Sequence, residues 1–508
     1  MKKWLPILIA IFMLLSLTAC STVPGDTSVP TLPSKDAQTP EQVVEAIDPN
    51  VAVVQTEMNV KQAVLSNSQI FKVEEAFLAS GFTTMDVTPV AGTRLLPKVL
   101  RAGNTMVTLQ QSGSSVRVMW EVCDSAVFTL LAPNEATGTG AVTMAQIGPG
   151  NIGNGEIENP GNGMGYVCKL SDGSALIIDG GHNSSADNLF KTLGKMDIAK
   201  DEEGRYRINA WVITHLHGDH YGALITFAAN YSAKADISYL VYACTADENL
   251  MSTIGVDHTP SFVAYIRNYY PDTVHIAPHA GLQYYFDNLT LQIHYAPELM
   301  YGSADLTYGN DTSLIFAIEG SGARVLYFGD AGNVAACVAW ESNTANSFKA
   351  NAFQAAHHLM ATGNGTTVWT NLKKIYEATG ANIALLTMGA SNPVPTLPGN
   401  GRWRVLINGA RVGEQQSYFL DVTQTETNWF TYYEDDYVKF VDDVAAGTAE
   451  YETLCGYDGV NRIYNKEKDL TSYLMSAEKE PMATVFLLTN SEMSLVSNQL
   501  LDQWLNEE

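Results

Sequence analysis

The sequence predicts an α/β fold for the middle of the chain. Between about residues 144 and 400, short apolar runs typical of buried strands alternate with segments of helical spacing. Two of these strands end in residues that can carry chemistry, since residues 175–178 run into Asp179 and residues 210–214 run into a histidine cluster. All ten histidines lie between His182 and His358, so metal or imidazole chemistry is confined to this middle third.

Composition excludes three classes of protein. The chain has 508 residues, a formal net charge of −25 and 16% charged residues, which excludes a basic protein that coats nucleic acid. A hydrophobic fraction of 46% excludes a disordered chain, and the length allows about three domains. The cysteines are far apart and form no CxxC pair, so neither a disulfide framework nor a zinc–thiolate site is predicted, although one pairing stays open.

The N-terminus has the features of an export signal. Lys2 and Lys3 precede an apolar run over residues 7–17, which is too short to cross a bilayer comfortably. The run ends in Leu-Thr-Ala-Cys at residues 17–20, which resembles the lipobox of bacterial lipoproteins. The resemblance implies a signal peptide over residues 1–20 and a lipid on Cys20 that holds the protein at the outer face of the cell membrane. Residues 21–40, rich in Pro, Ser and Thr, predict an extended tether.

Residues 41–140 predict a small α/β accessory domain without histidine. Thr39 and Pro40 have the order typical of a helix N-cap and first turn, residues 73–80 have helical spacing, and residues 115–122 alternate as a strand does.

Residues 141–400 form the region expected to carry the chemistry. The predicted elements are, in order, strand 175–178, helix 186–196, strand 210–214, helix 221–231, strands 313–318 and 324–328, helix 368–378 and strand 382–387. Residues 401–508 follow as an α+β extension, with aromatic strand-like segments that favour a core role over glycan contact and a helix near residues 496–505.

The most informative stretch is Thr-His-Leu-His-Gly-Asp-His at residues 214–220. His215, His217, Asp219 and His220 follow directly after a buried strand, and neutral imidazole and carboxylate are the ligands of zinc and similar divalent ions. On a loop, His215 and His217 can face one ion while Asp219 and His220 turn to a neighbouring one.

This stretch resembles the HxHxDH signature of metallo-β-lactamase-fold hydrolases. Asp-Gly-Gly at 179–181 and Phe-Gly-Asp at 328–330 resemble the strand-end turns of that family. Asn-Asp-Thr-Ser-Leu at 310–314 and Ala-His-His at 356–358 resemble the branch that contains the hydrolase domain of the competence DNA-uptake channel and the teichoic-acid phosphorylcholine esterases. The resemblance covers about residues 144–400 and implies a metallo-β-lactamase-like αββα sandwich, with an N-terminal α/β accessory region and the C-terminal extension outside it.

The resemblance also implies a set of ligands. The first metal site would hold His215, His217 and His357, with the adjacent His358 as the alternative because spacing does not separate the two. The second site would begin with Asp219 and His220. Asp330 would bridge the two ions, and Asp179 would orient a ligand histidine by a hydrogen bond.

The chain departs from this branch at two places. Leu359 and Met360 stand where the family has Gly-Ser after the histidine pair. The family's late Gly-His-Pro is also missing, because residues 393–398 contain no histidine and none occurs beyond His358. The second site therefore lacks its last ligand and is expected to be weak, water-filled or empty.

These observations predict a metal-dependent hydrolase with one or two Zn²⁺ ions, or Mn²⁺ in their place. Bound metal lowers the pKa of water toward about 7, and Asp219 and Asp330 are the expected catalytic carboxylates. The resemblance favours phosphodiester hydrolysis of a small or polymeric substrate. The acidic charge opposes a nuclease, and β-lactam hydrolysis fits the late ligand pattern less well. The alternative is a catalytically decayed binding lipoprotein.

The remaining histidines receive simpler interpretations. Structural roles are predicted for four of them, and His182 stays undecided because it follows the Asp179 turn. The four are His258, His275, His279 and His294.

Overall fold

The computed structural model describes fourteen stretches of the chain. They are residues 38–55, 60–147, 163–243, 251, 259–301, 303–359, 370–381, 383–387, 402–408, 416–421, 428–433, 455–457, 463–465 and 484–495. The signal peptide, Cys20, nearly all of the tether, His258, residues 388–398 and the helix expected near 496–505 lie outside these stretches. In the described part, no helix has both the length and the apolar character needed to span a bilayer.

The N-terminal region is a two-layer unit. Its helices are α1 (Pro40–Ile47), α2 (Ile70–Ala79) and α3 (Ser125–Thr129). Its strands are β1 (Val53–Gln55), β2 (Lys61–Leu65), β3 (Thr83–Met85), β4 (Lys98–Ala102), β5 (Thr105–Ser112) and β6 (Ser115–Val122), in the order β1-β2-β6-β5-β4-β3. Thr39 caps α1 and Gln42 bonds back to it, as expected for the predicted helix start. Apolar residues of α1 and α2 pack on one face of the sheet.

The central region is built on two larger sheets. The first has the order β12-β11-β10-β9-β8-β7-β24-β25, and parallel pairing joins β9 to β12. Its strands are β7 (Val142–Gln146), β8 (Gly165–Lys169), β9 (Ala175–Asp179), β10 (Tyr206–Ile213), β11 (Ala235–Tyr242), β12 (Val274–Ile276), β24 (Thr484–Thr489) and β25 (Glu492–Leu495).

The second large sheet runs from β13 to β21 in sequence order, with parallel pairs from β16 to β19. Its strands are β13 (Gln283–Phe286), β14 (Leu289–Tyr295), β15 (Ile315–Gly320), β16 (Ala323–Tyr327), β17 (Ala352–Gln354), β18 (Ile383–Thr387), β19 (Arg402–Asn408), β20 (Gln416–Asp421) and β21 (Asn428–Tyr433). A separate hairpin joins β22 (Cys455–Tyr457) to β23 (Ile463–Asn465).

The two sheets face each other across one apolar core and carry helices on their outer faces. Residues such as Tyr166 and Tyr327 meet between the sheets, with ring centroids 5.0 Å apart. Helices α4 (Ala186–Lys195), α5 (Gly218–Tyr231) and α6 (Thr259–Tyr269) cover the first sheet, and α7 (Asn333–Ser342) and α8 (Thr370–Thr379) cover the second. The predicted αββα sandwich is confirmed.

Two predicted elements have different bounds. The helix expected over residues 221–231 begins at Gly218, so Asp219 and His220 lie in its first turn and not on a loop. His217 occupies the N-cap position, and an acidic residue such as Asp219 is favoured in the first turn. The strand expected from residue 313 begins at Ile315, because residues 309–312 form a 3₁₀ turn whose neighbour Ser313 bonds to the Asp330 backbone.

The C-terminal region contributes strands to both large sheets. Strand β19 pairs with β18 in the second sheet, and β24 pairs with β7 in the first. The expected domain limits of 141–400 and 401–508 therefore cut through hydrogen-bonded strand pairs of the sandwich.

Candidate metal centre

The predicted site residues meet at one rim of the sandwich. Asp179 ends β9, the stretch from His215 to His220 follows β10, Asp330 follows β16, and His357 and His358 follow β17. The parallel strands of both sheets thus present their carboxyl ends at the same place, which is where open α/β sheets place ligand sites.

Asp179 organises the first side of the site. It is fully buried and has a positive φ of 49°, a conformation that costs energy in any residue but glycine. Its carboxylate accepts hydrogen bonds from the Thr214 backbone N–H at 2.7 Å and from Thr214 Oγ1 at 2.8 Å. Its Oδ2 also lies 2.7 Å from His220 Nδ1, which turns His220 Nε2 toward Asp330 Oδ1 at 3.0 Å. This is the orienting role expected for Asp179.

Gly329 and Ser313 position Asp330. Gly329 has a φ of 53°, and a Cβ atom there would lie 2.8 Å from Thr214, so the close approach of the two strand ends requires glycine. The Asp330 backbone N–H donates to Ser313 Oγ at 3.0 Å. The Gly329 carbonyl accepts from Gln354 Nε2 and from the His357 backbone N–H. The backbone that carries Asp330 is therefore held by hydrogen bonds from the second sheet and packs closely against Thr214 of the first.

The histidine pair forms an unusual turn. His357 and His358 both have positive φ, at 49° and 48°, where single residues are uncommon and consecutive ones rarer still. The turn separates the two rings, whose centroids are 6.2 Å apart. His358 is buried, whereas His357 is partly accessible. Because strained backbone concentrates at functional sites, this turn supports a role for the pair.

The potential ligand atoms form two groups that share Asp330. The Asp219 cluster consists of Asp219, His220, Asp330 and His358, and the His215 cluster consists of His215, His217 and Asp330. Within each group the ligand atoms lie within 4.8 Å of one another. His358 Nε2 lies 3.3 Å from Asp219 Oδ2 and 3.6 Å from Asp330 Oδ1.

The two histidines of the pair lie beside different groups. His357 Nε2 is not among the closely grouped atoms of the His215 cluster, but it lies 3.7 Å from Asp330 Oδ2, the same oxygen that His215 Nε2 approaches at 3.9 Å. His358 instead stands beside Asp219 and His220, where the sequence predicted a missing ligand. The separation follows from the left-handed turn, which sends adjacent rings in different directions.

Burial and neighbouring charges shift the pKa values of His220 and Asp330 in opposite directions. Burial lowers the pKa of His220, but Asp330 and Asp179 outweigh it and raise that pKa well above its usual value. Burial raises the pKa of Asp330, but His220 and His358 outweigh it and hold that pKa well below its usual range. Burial and the charge of His220 keep the pKa of His215 well below its usual value. The two shifts favour an ionised Asp330 facing a protonated His220, whose proton a cation would displace.

The residues present fit a divalent cation. His220 Nε2 and Asp330 Oδ1 are buried and face each other at 3.0 Å, and His358 Nε2 lies 3.6 Å from the same oxygen. Two imidazole nitrogens thus converge on one buried carboxylate oxygen, where a cation can replace the protons that otherwise join them. Imidazole nitrogen and carboxylate oxygen suit zinc and manganese.

Other histidines have structural partners. His279 Nδ1 lies 2.6 Å from Glu298 Oε2, His294 Nε2 accepts from Arg324 Nη2 at 2.8 Å, and His275 Nδ1 lies 3.1 Å from the Tyr242 hydroxyl. These contacts agree with the structural roles predicted for them. His182 lies half-buried just beyond Gly181, at the start of a 3₁₀ turn.

Sequence reasoning missed three supporting residues. Thr214 joins Asp179 to the ligand stretch, and its position directly before His215 was the available signal. Ser313 lies within a motif already noted, although that motif alone did not show that Ser313 holds Asp330. Gln354, which accepts from the Phe328 backbone N–H, gave no signal because it ends β17, a strand of three residues that no sequence pattern marks.

Residues 159–243 match the sequence model of the Metallo-beta-lactamase superfamily. Over this segment the chain is similar to that superfamily. The match includes Asp179 and the stretch from His215 to His220, and therefore the first-sheet side of the centre.

Three solved structures are among those similar to the chain. The metallo-beta-lactamase fold protein YhfI from Bacillus subtilis is 14% identical to this chain. The match covers 48% of this chain and 86% of that chain, with a TM-score of 0.30. Zn(2+)-bound PqqB from Methylobacterium extorquens is 13% identical. The match covers 42% of this chain and 71% of that chain, with a TM-score of 0.28. The short form of human tRNase Z is 15% identical. The match covers 48% of this chain and 91% of that chain, with a TM-score of 0.29. No curated protein matches the chain.

Proposed function

We propose that this protein is a membrane-tethered, extracytoplasmic, metal-dependent hydrolase that cleaves phosphodiesters. The observation that carries the proposal is the pair of ligand clusters that share the buried Asp330 at the carboxyl ends of both sheets. When bound there, a divalent ion supplies Lewis acidity and lowers the pKa of a water molecule.

The protein's own residues divide the remaining work. Asp330 is held by Ser313 and faces both clusters, with Oδ1 3.0 Å from His220 Nε2 and Oδ2 3.9 Å from His215 Nε2. Asp219 has a side chain 22% exposed, against 3% for Asp330, and is thus the carboxylate that incoming water and substrate reach. Asp219 is therefore expected to contribute to the metal site and to hold the attacking water by accepting a hydrogen bond from it. Asp179 keeps His220 oriented in the same site.

The substrate class follows from the family branch and the charge. The motifs at residues 310–314 and 356–358 resemble the branch with competence-channel hydrolase domains and phosphorylcholine esterases, which favours phosphodiesters. A net charge of −25 disfavours a long polyanion, so a cell-wall phosphodiester is the preferred substrate over nucleic acid.

The lipobox-like residues 17–20 support the location. A lipid on Cys20 would anchor the chain and leave the sandwich outside the membrane. Labelled palmitate should enter the chain in cells and should fail to enter Cys20→Ala.

The activity is tested with the purified full-length chain and bis-(p-nitrophenyl) phosphate. Hydrolysis is expected with Zn²⁺ or Mn²⁺ and should fall by at least about 100-fold in His215→Ala and in Asp330→Asn, since each loses a ligand that cannot be replaced. His275→Gln, which changes a histidine on β12, is the matched control and should retain activity. Unchanged hydrolysis in both ligand variants would remove the site from the reaction.

One specific observation favours a second candidate, a binding lipoprotein on a decayed hydrolase fold. The late histidine is missing, and Leu359 and Met360 replace the small residues expected after the histidine pair. Full metal occupancy with no turnover of bis-(p-nitrophenyl) phosphate, of a choline phosphodiester or of a β-lactam would select this candidate.

A further inference from the structure

We propose that the Asp219 cluster takes up the first and more tightly held divalent ion, and that the His215 cluster takes up the second and weaker one. This reverses the order implied by the sequence, in which the site of three histidines was complete and the other site lacked a ligand. The inference rests on the proposed function, because that function requires a metal centre.

The ligand sets of the two clusters differ in number and charge. The Asp219 cluster offers two carboxylates and two imidazoles, which is a complete set of four protein ligands. The His215 cluster offers two imidazoles and only the shared carboxylate of Asp330. A divalent cation that enters the centre is therefore attracted by two negative charges at the Asp219 cluster and by one shared charge at the His215 cluster.

The ligands of the Asp219 cluster are also held in position more firmly than those of the His215 cluster. His220 is fixed by Asp179 at 2.7 Å, and Asp330 is fixed through its backbone by Ser313. His358 reaches both carboxylates, at 3.3 Å and 3.6 Å, without any rearrangement. Partners that orient a ligand in this way commonly change metal affinity by about 10- to 100-fold.

His357 is held less firmly than His358. Its Nε2 lies 3.7 Å from Asp330 Oδ2, which His215 Nε2 approaches at 3.9 Å, but it is not among the atoms that lie within 4.8 Å of one another in the His215 cluster. Its Nδ1 is buried and has no hydrogen-bond partner among the described residues, whereas ligand histidines almost always donate from that second nitrogen. The His215 cluster thus keeps an open position, as catalytic metal sites do, and binds its ion less tightly.

The test is a Zn²⁺ titration of the full-length apo protein against a chromophoric chelator, with metal content measured after dialysis. The wild-type protein should bind in two steps. His358→Ala should weaken the tight step by at least about 10-fold, and Asp219→Asn, which keeps the side-chain size, should do the same. His217→Ala should leave the tight step within about threefold and lose the weak step. His275→Gln should keep both steps, and circular dichroism of each apo variant reports folding.

The outcomes separate the two proposals. Loss of the tight step in His217→Ala with retention in His358→Ala overturns this inference but leaves the metal-dependent hydrolase intact. Equal loss of one step in both variants also overturns it. A wild-type protein that binds neither Zn²⁺ nor Mn²⁺ overturns the proposed function as well.

Discussion

At the scale of single residues, the site depends on a few side chains that hold others in place. Asp179 adopts a left-handed backbone conformation that costs energy. In that conformation its carboxylate accepts hydrogen bonds from the Thr214 backbone N–H and hydroxyl and contacts His220 Nδ1. The Trp211 indole donates to the Asp179 carbonyl at 2.8 Å, which fixes the same residue from its other side. Such an arrangement prepares a ligand before any ion arrives.

The substitution Asp179→Asn tests this preparation. The amide is nearly the same size but carries no charge, so His220 loses its charged partner and Zn²⁺ affinity should fall by about 10- to 100-fold. Asp187→Asn is the matched control, because Asp187 only accepts a hydrogen bond from the exposed hydroxyl of Tyr231. Chelator competition measures both variants, and equal affinities would show that Asp179 has no orienting role.

At the scale of elements, the N-terminal sheet is fastened to the sandwich through buried polar contacts. Gln110 on β5 donates to Glu298 Oε1 at 2.7 Å and to the Ala280 carbonyl at 2.9 Å. His279 stands between Glu298 and Glu121 of β6, at 2.6 Å and 3.4 Å. Because these groups are buried and paired, they fix the register of the two units.

This junction predicts a pH dependence of stability. Burial lowers the pKa of His279, but Glu298 and Glu121 outweigh it, and the folded pKa lies well above the usual value. The contribution of His279 is therefore complete below the unfolded pKa of about 6.5 and declines as the pH rises toward the folded pKa. The difference in free energy of unfolding between wild type and His279→Gln should be larger at pH 6 than at pH 9 in urea titrations. A difference that grows with pH would contradict the assignment.

At the scale of the whole molecule, the sequence predicted the order of the layers and the main site residues better than it predicted the histidine turn and the pairing of the C-terminal strands. The αββα order and the meeting of Asp179, His215 and Asp330 could be predicted, because strand–helix alternation and residues at strand ends are local signals. The separation of His357 from His358 could not, because it depends on backbone φ in one turn. The pairing of β24 with β7 joins residues more than 300 positions apart, and no local pattern encodes it.

That pairing predicts the effect of truncation. A chain that stops at residue 400 lacks the strands that pair with β7 and β18, and it exposes two strand edges that favour aggregation. It should be insoluble or elute as aggregates in size-exclusion chromatography. A chain that stops at Leu495 keeps both pairings and is the matched control. A soluble, monomeric and folded protein ending at residue 400 would show that the later strands are dispensable.

The late position of β24 in the chain determines when the first sheet can be completed. Ribosomes and export channels release a chain from its first residue to its last, whereas β24 fills its place in the first sheet with residues 484–489. The first sheet can therefore be completed only near the end of synthesis. Under the proposed export, β24 would reach its place beside β7 only after residues 484–489 had crossed the membrane.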